Sequence, residues 1–182
     1  MSPMPDGGQV GAHSDVTFTV RGADCIDLLE PLWLSLFDHH HDVGDAGIPT
    51  IDRSLSWPRR RRLYLELFDE PGTFVLLAER DGRPVGYTMN HLRRAPDDSW
   101  DTSDVIGEIE TLVLLPEARG DGVGTALMDA TEDELTRRGA VTMLTAVLEG
   151  NERTREFYLR RGMKPTVTYL MRLGPRDTQP DK

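Results

Sequence analysis

Residues 116 to 124, Pro-Glu-Ala-Arg-Gly-Asp-Gly-Val-Gly, decide how this chain folds and what it binds. They follow an apolar run, Val105 to Leu115, which we interpret as a central β-strand, and they lead into an amphipathic helix over Gly122 to Arg138. The first N–H groups of a helix have no partner within it and carry partial positive charge. Alternating glycines let a ligand approach those groups without meeting a Cβ atom. The stretch therefore predicts an anion-binding loop suited to a diphosphate.

Two common phosphate-binding motifs do not fit this loop. A P-loop needs Lys followed by Ser or Thr after its last glycine, and a dinucleotide fingerprint needs a third glycine three residues after its second. The segment instead resembles the acetyl-CoA-binding motif of the GNAT superfamily of N-acetyltransferases, which reads Arg or Gln, two residues, Gly, one residue, then Gly or Ala. Arg119, Gly122 and Gly124 match that motif.

A second motif supports the resemblance at the expected separation from the first. Residues that fit the second cofactor motif of the family are Asn151, Phe157, Tyr158 and Gly162. Residues that fit the strand before the loop are Ile109, Leu112, Leu114 and Pro116. Thr154 and Met163 depart from the usual residues, and the N-terminal third matches in element order only.

The periodicity of the chain and the resemblance together predict the fold. We expect one N-acetyltransferase domain over residues 15–173, between a disordered tail at 1–14 and a flexible tail at 174–182. Alternating hydrophobic runs predict strands, including a first strand at Val16 to Val20 and a last strand at Lys164 to Leu173. The predicted fold class is α/β (α+β), with a mixed, mostly antiparallel central sheet and about four flanking helices. The resemblance implies a bulge in the central strand between Glu108 and Leu112.

The resemblance implies acetyl-CoA as co-substrate and assigns residues to its parts. The diphosphate would lie on the loop formed by Arg119, Gly120, Asp121, Gly122, Val123, Gly124 and Thr125. Main-chain groups of Leu112, Val113 and Leu114 would bind pantetheine as though it were a further strand. Asn151 and Phe157 would contribute from the second motif, and Arg155 is the candidate for the 3′-phosphate. Asn151 precedes a short helix, so an ordinary N-cap role is equally open.

Three residues are candidates for the chemistry. By resemblance Tyr158 is the general acid that protonates the departing thiolate, whereas an aromatic residue in an amphipathic helix is otherwise a core residue. Glu108 and Glu110 lie two apart on the central strand, so their side chains point to one face. Either could accept the proton of the attacking amine, because an alkylammonium group must be deprotonated before it attacks. Solvated strand acids and a water chain are the alternatives.

The composition of the chain limits the classes of molecule that it is expected to bind. The 182 residues carry a formal net charge of −10, which argues against nucleic acid and anionic membranes as partners and favours a cationic amine-bearing small molecule or peptide. Solubility alone would also explain the charge. Cys25 is the only cysteine and residues 1–15 lack the pattern of a secretory signal, so we expect a cytoplasmic protein.

Other polar clusters give weaker signals. Consecutive residues cannot easily converge on one ion, so His39, His40 and His41 predict pocket lining or plain surface, and we expect no metal. Arg59 to Arg62 predict a solvated helix face, and the acids between Asp97 and Asp104 predict a solvated loop.

The sequence therefore predicts an acetyl-CoA-dependent N-acetyltransferase that acts on a primary amine by direct attack in a ternary complex. A non-catalytic acyl-CoA sensor and an enzyme for another phosphorylated ligand are the alternatives. The acceptor cannot be read from the sequence. Relatives often form homodimers, so the resemblance leaves a monomer and a homodimer open.

Overall fold

A single six-stranded sheet organises the part of the chain that the structure, a computed structural model, describes: residues 8–44, 49–95 and 101–172. The strands lie side by side in chain order and are antiparallel except for the last pair, which is parallel. They are β1 (Gln9–His13), β2 (Val16–Arg21), β3 (Phe74–Arg80), β4 (Arg83–Arg94), β5 (Val105–Leu114) and β6 (Thr142–Thr145). The predicted mixed, mostly antiparallel sheet is confirmed.

Helices cover both faces of the sheet. They are α1 (Glu30–Val43), entered through a short 3₁₀ turn, α2 (Arg53–Phe68), α3 (Val123–Arg137) and α4 (Glu152–Arg160). The Asp52 side chain caps α2 by accepting a hydrogen bond from the backbone N–H of Ser54. The cores on the two faces are separate: Leu127 of α3 belongs to one and Leu32 of α1 to the other. No helix in the described residues is long and apolar enough to cross a bilayer.

The predicted bulge in the central strand is confirmed. Met89 of β4 lies opposite Thr111, whereas the next residue, Asn90, lies opposite Ile109, so Glu110 is the extra residue on β5. The bulge reverses the alternation of side chains along the strand. Ile109 before it and Leu112 after it both face α3 and α4. Glu110 and Thr111, although adjacent, both contact side chains of α2.

A gap opens between β5 and β6 just beyond the bulge. The parallel pairing runs from Ile106 opposite Thr142 to Ile109 opposite Thr145 and then stops. β5 continues to Leu114 with β4 as its strand partner on the other side. Residues 110–114 therefore have a strand edge that no other described strand covers. We call this gap the β5–β6 split.

The two ends of the chain differ from the sequence-based expectation. The predicted tail over 1–14 is wrong for Gln9–His13, which form β1 because their backbone groups pair with β2. The predicted strand at 164–173 is wrong over its described part, where residues 164–172 have no ladder partner. Alternation indicates a strand only when a neighbour supplies hydrogen bonds, and here Tyr169 and Leu170 are 87% and 94% exposed. The tail predicted at 174–182 lies outside the described residues.

Candidate active site

The loop between β5 and α3 presents backbone N–H groups that have no hydrogen-bond partner in the part of the chain that the structure describes. Gly120 and Gly122 have φ angles of 102° and 81°, a left-handed conformation that side chains with a Cβ rarely adopt. Gly122 is the N-cap of α3 and no side chain caps it. Within the described residues, no acceptor takes a hydrogen bond from the N–H groups of residues 120–125. The loop is therefore a set of unpaired donors at a helix N-terminus.

Arg119 fixes the start of this loop to the end of β5. Its Nε donates to the carbonyl oxygen of Leu114 at 2.9 Å. Burial, and then the nearby charge of Arg153 on α4, lower the pKa of Arg119. The positive charge of Arg153 therefore acts on Arg119 from a different element. Arg153 was not predicted as a site residue, because an arginine in an exposed helix turn gives no sequence signal of its own.

An open cleft of about 420 Å³ lies between α3 and α4 beside the loop, lined by Thr125, Phe157, Arg160 and Arg161. Arg161 joins the two helices through ion pairs with Asp129 and Glu132 at 2.6 Å and 2.9 Å. Thr125 and Phe157, predicted as cofactor residues, thus share one cavity. Arg155 does not line it; Arg155 is half exposed and lies 4.0 Å from Glu152.

Tyr158 of α4 lies at the apex of the β5–β6 split. Its side chain is buried, and its hydroxyl lies near the side chain of Thr145. The Thr145 hydroxyl donates in turn to the carbonyl oxygen of Ile109 at 2.9 Å, at the last ladder pair of the two strands. Burial raises the pKa of Tyr158 to about 12, although the neighbouring Thr145 opposes the rise. The phenol therefore keeps its proton at neutral pH.

Asn151 begins the helix that carries Tyr158. Its side chain is buried and accepts a hydrogen bond from the backbone N–H of Thr154 at 3.3 Å, so its N-cap role is confirmed. A contact between Asn151 and pantetheine stays a prediction. The cap fixes the first turn of α4, and thereby the position of Tyr158 two turns later.

Glu108 and Glu110 lie on the other face of the sheet and point to the same side, as predicted. With His91 of β4 they form a cluster in which one ligand-type atom from each side chain lies within 4.8 Å of the others. Glu108 lies 3.7 Å from His91 Nε2 and 3.4 Å from Arg93 Nε. We call His91, Glu108 and Glu110 the β4–β5 cluster. Residues of these types also occur in metal sites.

Arg60 neutralises the second glutamate of the cluster. Its Nη1 lies 2.5 Å from Glu110 Oε1, and its guanidinium stacks 4.0 Å from the centre of the Trp33 ring. The prediction of a solvated face over Arg59 to Arg62 is therefore wrong for Arg60, because its side chain turns towards the sheet and binds Glu110 and Trp33 there. Burial, followed by the charges of His39 and Arg60, lowers the pKa of His40.

Buried hydroxyl groups hold α2 against the bulge. The Tyr64 hydroxyl lies 2.6 Å from the Thr111 hydroxyl and 2.9 Å from the Tyr87 hydroxyl. Burial raises the pKa of Tyr64 to about 12. These contacts fix the position of Arg60, one helical turn before Tyr64, over Glu110.

His91 was missed because its neighbour could not be read from the sequence. His91 lies directly opposite Glu108 in the β4–β5 ladder. The strands are joined by a long connection rather than a tight turn, so counting residues from the turn does not predict the pair.

Comparisons with known proteins agree with this geometry. A sequence profile described as the Acetyltransferase (GNAT) family matches residues 36–163. The chain belongs to the GNAT acetyltransferase family. Because the chain belongs to this family, the protein is an N-acetyltransferase with acetyl-CoA as co-substrate.

Individual GNAT relatives support the assignment. An uncharacterised N-acetyltransferase of Mycobacterium tuberculosis is 35% identical over 124 residues, covering 68% of this chain and 71% of the relative. An aminoalkylphosphonate N-acetyltransferase of Salmonella typhimurium is 35% identical over 97 residues, covering 52% and 59% of the two chains. A solved aminoglycoside N-acetyltransferase in complex with CoA has the same fold, with a TM-score of 0.66, 17% identity, and coverage of 91% of this chain and 98% of that one.

Proposed function

We propose that this GNAT acetyltransferase transfers acetyl from acetyl-CoA to the primary amine of a small molecule or peptide, by direct attack in a ternary complex. One observation carries the proposal: Tyr158 and the β4–β5 cluster flank the β5–β6 split from opposite faces of the sheet. A reacting group seated in the split would have a proton donor on one side and a proton acceptor on the other. That is the arrangement that aminolysis of a thioester needs.

The residues present fit acetyl-CoA, which supplies an acetyl thioester. The unpaired N–H groups of residues 120–125 suit the diphosphate. The uncovered edge of Leu112 to Leu114 suits the amide groups of pantetheine, which can pair with a strand edge. The cleft between α3 and α4 would take part of the remaining cofactor, with Arg160 in place of Arg155 as the cation that lines it.

Each protein group has a defined part in the proton transfers. Glu108 accepts the proton that the amine releases, and His91, at 3.7 Å, passes it towards solvent. Glu110 is the poorer base, because Arg60 already binds its carboxylate. Tyr158 donates its proton to the departing thiolate. Positioning of the two reactants in one complex contributes most, on the order of 7–11 kcal/mol.

The charges of the β4–β5 cluster favour a small amine over a polycation. Glu108 has Arg93 beside it and Glu110 has Arg60, so each carboxylate is already compensated. A pocket built to attract several positive charges would leave acids unpaired. The Salmonella relative named for aminoalkylphosphonates suggests that the acceptor set should include amines that carry an acidic group.

An amine screen tests the proposal. The purified protein is mixed with acetyl-CoA and with amino acids, aminoalkylphosphonates, polyamines, aminoglycosides or peptides, and the released CoA thiol is measured. We expect release with at least one amine, and release about 10³ times slower with Tyr158→Phe at the same concentration. Tight binding of acetyl-CoA without release for any amine would favour the sensor. Thermal stabilisation by ATP or NAD but not by acetyl-CoA would reject acetyl-CoA as the ligand.

A further inference from the structure

A histidine from the N-terminal strand contacts the anion-binding loop. His13, at the end of β1, has its Nε2 atom 2.7 Å from the carbonyl oxygen of Asp121. A carbonyl oxygen only accepts, so Nε2 carries the hydrogen and donates it. Nε2 bears a hydrogen both in the imidazolium ion and in the corresponding neutral tautomer.

The bond sets the direction of the next backbone N–H group. The peptide unit between Asp121 and Gly122 is planar and trans, so its C=O and N–H bonds point in opposite directions. Because His13 binds the oxygen, the N–H of Gly122 points away from the histidine. This N–H is one of the unpaired donors of the loop.

Without such a contact the peptide unit would be easy to rotate. Gly122 has a φ angle of 81°, but glycine also adopts negative φ angles without steric cost. Rotating the peptide unit between Asp121 and Gly122 converts the positive φ angle of Gly122 into a negative one. The two conformations differ in the same way as type II and type I turns. In the rotated form a carbonyl oxygen would replace an N–H group on the surface of the loop and would repel an anion.

Packing holds the histidine in place. β1 is paired with β2 along its length, and a Cβ built on Gly11 would lie 4.0 Å from the Cβ of Ala130 on α3. A Cβ built on Gly122 would lie 3.0 Å from His13 Nε2. The imidazole ring therefore occupies the space beside the glycine.

We propose that His13 is a positioning residue that locks the Asp121–Gly122 peptide unit in the orientation that presents its N–H to the diphosphate of acetyl-CoA. The inference rests on the proposed function, since it concerns the same loop. It assigns a part in cofactor binding to a strand that lies far from the loop in sequence and outside both cofactor motifs.

Calorimetric titration with acetyl-CoA tests the role of His13. The variants are His13→Leu, which cannot donate, His13→Asn, whose amide is too short to reach Asp121, and His13→Gln, whose terminal amide can replace Nε2. Thr17→Val on β2 is the matched control, because it changes the same hairpin away from the loop. We expect the Kd to rise about three- to tenfold in His13→Leu and His13→Asn, as for one lost hydrogen bond. His13→Gln and Thr17→Val should stay within twofold of the wild type.

Titration with pantetheine, which lacks the diphosphate, separates positioning from a general structural effect. We expect its affinity to be the same in all variants. Equal Kd values for acetyl-CoA in wild type and His13→Leu, or equal losses for both ligands, would overturn the inference while leaving the proposed function standing. Failure of the wild type itself to bind acetyl-CoA would instead overturn the proposed function, and this inference with it.

Discussion

The two sides of the β5–β6 split carry different kinds of polar groups. On the side of the anion-binding loop, the donors are backbone N–H groups at residues 120–125, and the described protein gives them no partner. On the side of the β4–β5 cluster, the polar groups are side chains, and each carboxylate already has a cation beside it. The loop is ready to bind an anion, whereas the cluster is internally compensated.

The difference shows how one active site treats its two substrates. A diphosphate is always an anion, so a fixed set of backbone donors suits it. An amine must change its charge during the reaction, so groups that exchange protons suit it better than fixed charges. Arg60 and Arg93 keep Glu108 and Glu110 from forming an acidic trap that would hold the ammonium form. The following variants test this contrast.

The largest effect is expected from Tyr158→Phe, which removes the acid but keeps the ring. The kcat should fall by about 10³, within the usual range for a general acid, while the Kd for acetyl-CoA changes less than twofold. Because burial raises the Tyr158 pKa to about 12, ionisation of this phenol should not reduce the wild-type kcat below about pH 11. Steady-state kinetics over pH 6–10, with calorimetry for the Kd, provide the measurement. An equal loss of turnover and affinity would mean a binding role instead.

Substitution of the two glutamates should separate chemistry from structure. We expect Glu108→Gln to lower kcat by about 10² at neutral pH. Glu110→Gln should lower kcat less, and should reduce the free energy of unfolding by about 1–2 kcal/mol, because Arg60 loses its carboxylate partner. Urea unfolding and kinetics of the same samples check both. If Glu110→Gln proves the slower enzyme, the assignment of the base is reversed.

Gly122→Ala tests the loop, with Gly139→Ala as its control. Both glycines have left-handed φ angles, 81° and 97°, so alanine should cost each about 1–2 kcal/mol of stability. A Cβ at residue 122 would also meet His13 at 3.0 Å, whereas nothing lies within 4 Å of one at residue 139. Gly122→Ala should therefore weaken acetyl-CoA binding about tenfold, and Gly139→Ala should leave the Kd unchanged. Similar Kd values in the two variants would show that the loop backbone is not the binding surface.

The smallest effect is expected from chelation. The β4–β5 cluster contains residue types found in metal sites, but Arg60 and Arg93 already compensate its carboxylates. Dialysis against EDTA should leave turnover unchanged, and added Zn²⁺ should not raise it. A loss of activity that zinc restores would make the cluster a metal site.

The features that could be predicted from the sequence are mainly those on the loop side of the split, which neighbouring residues form. The loop and the strand before it depend on neighbouring residues, such as the glycines at 120, 122 and 124, and both lie where local patterns place them, whereas the bulge lies where the family resemblance implied it. Backbone conformation is set locally, so motifs reveal it. The same holds for Asn151, whose N-cap role follows from its position before a helix.

The contacts that were missed join distant parts of the chain. Arg60 binds Glu110 from another element, His91 meets Glu108 on a neighbouring strand, and His13 reaches Asp121 over 108 residues. No local pattern encodes such pairs. The strand predicted at 164–173 failed for a related reason, since its alternating residues find no neighbouring strand in the described residues.

A crystal structure of the protein with CoA tests the central claim most directly. The account predicts that the diphosphate lies on the N–H groups of residues 120–125 and that pantetheine runs along Leu112 to Leu114. The sulfur should lie within about 4 Å of the Tyr158 hydroxyl, on the edge of the β5–β6 split. An empty loop, or a sulfur atom away from the split, would contradict it.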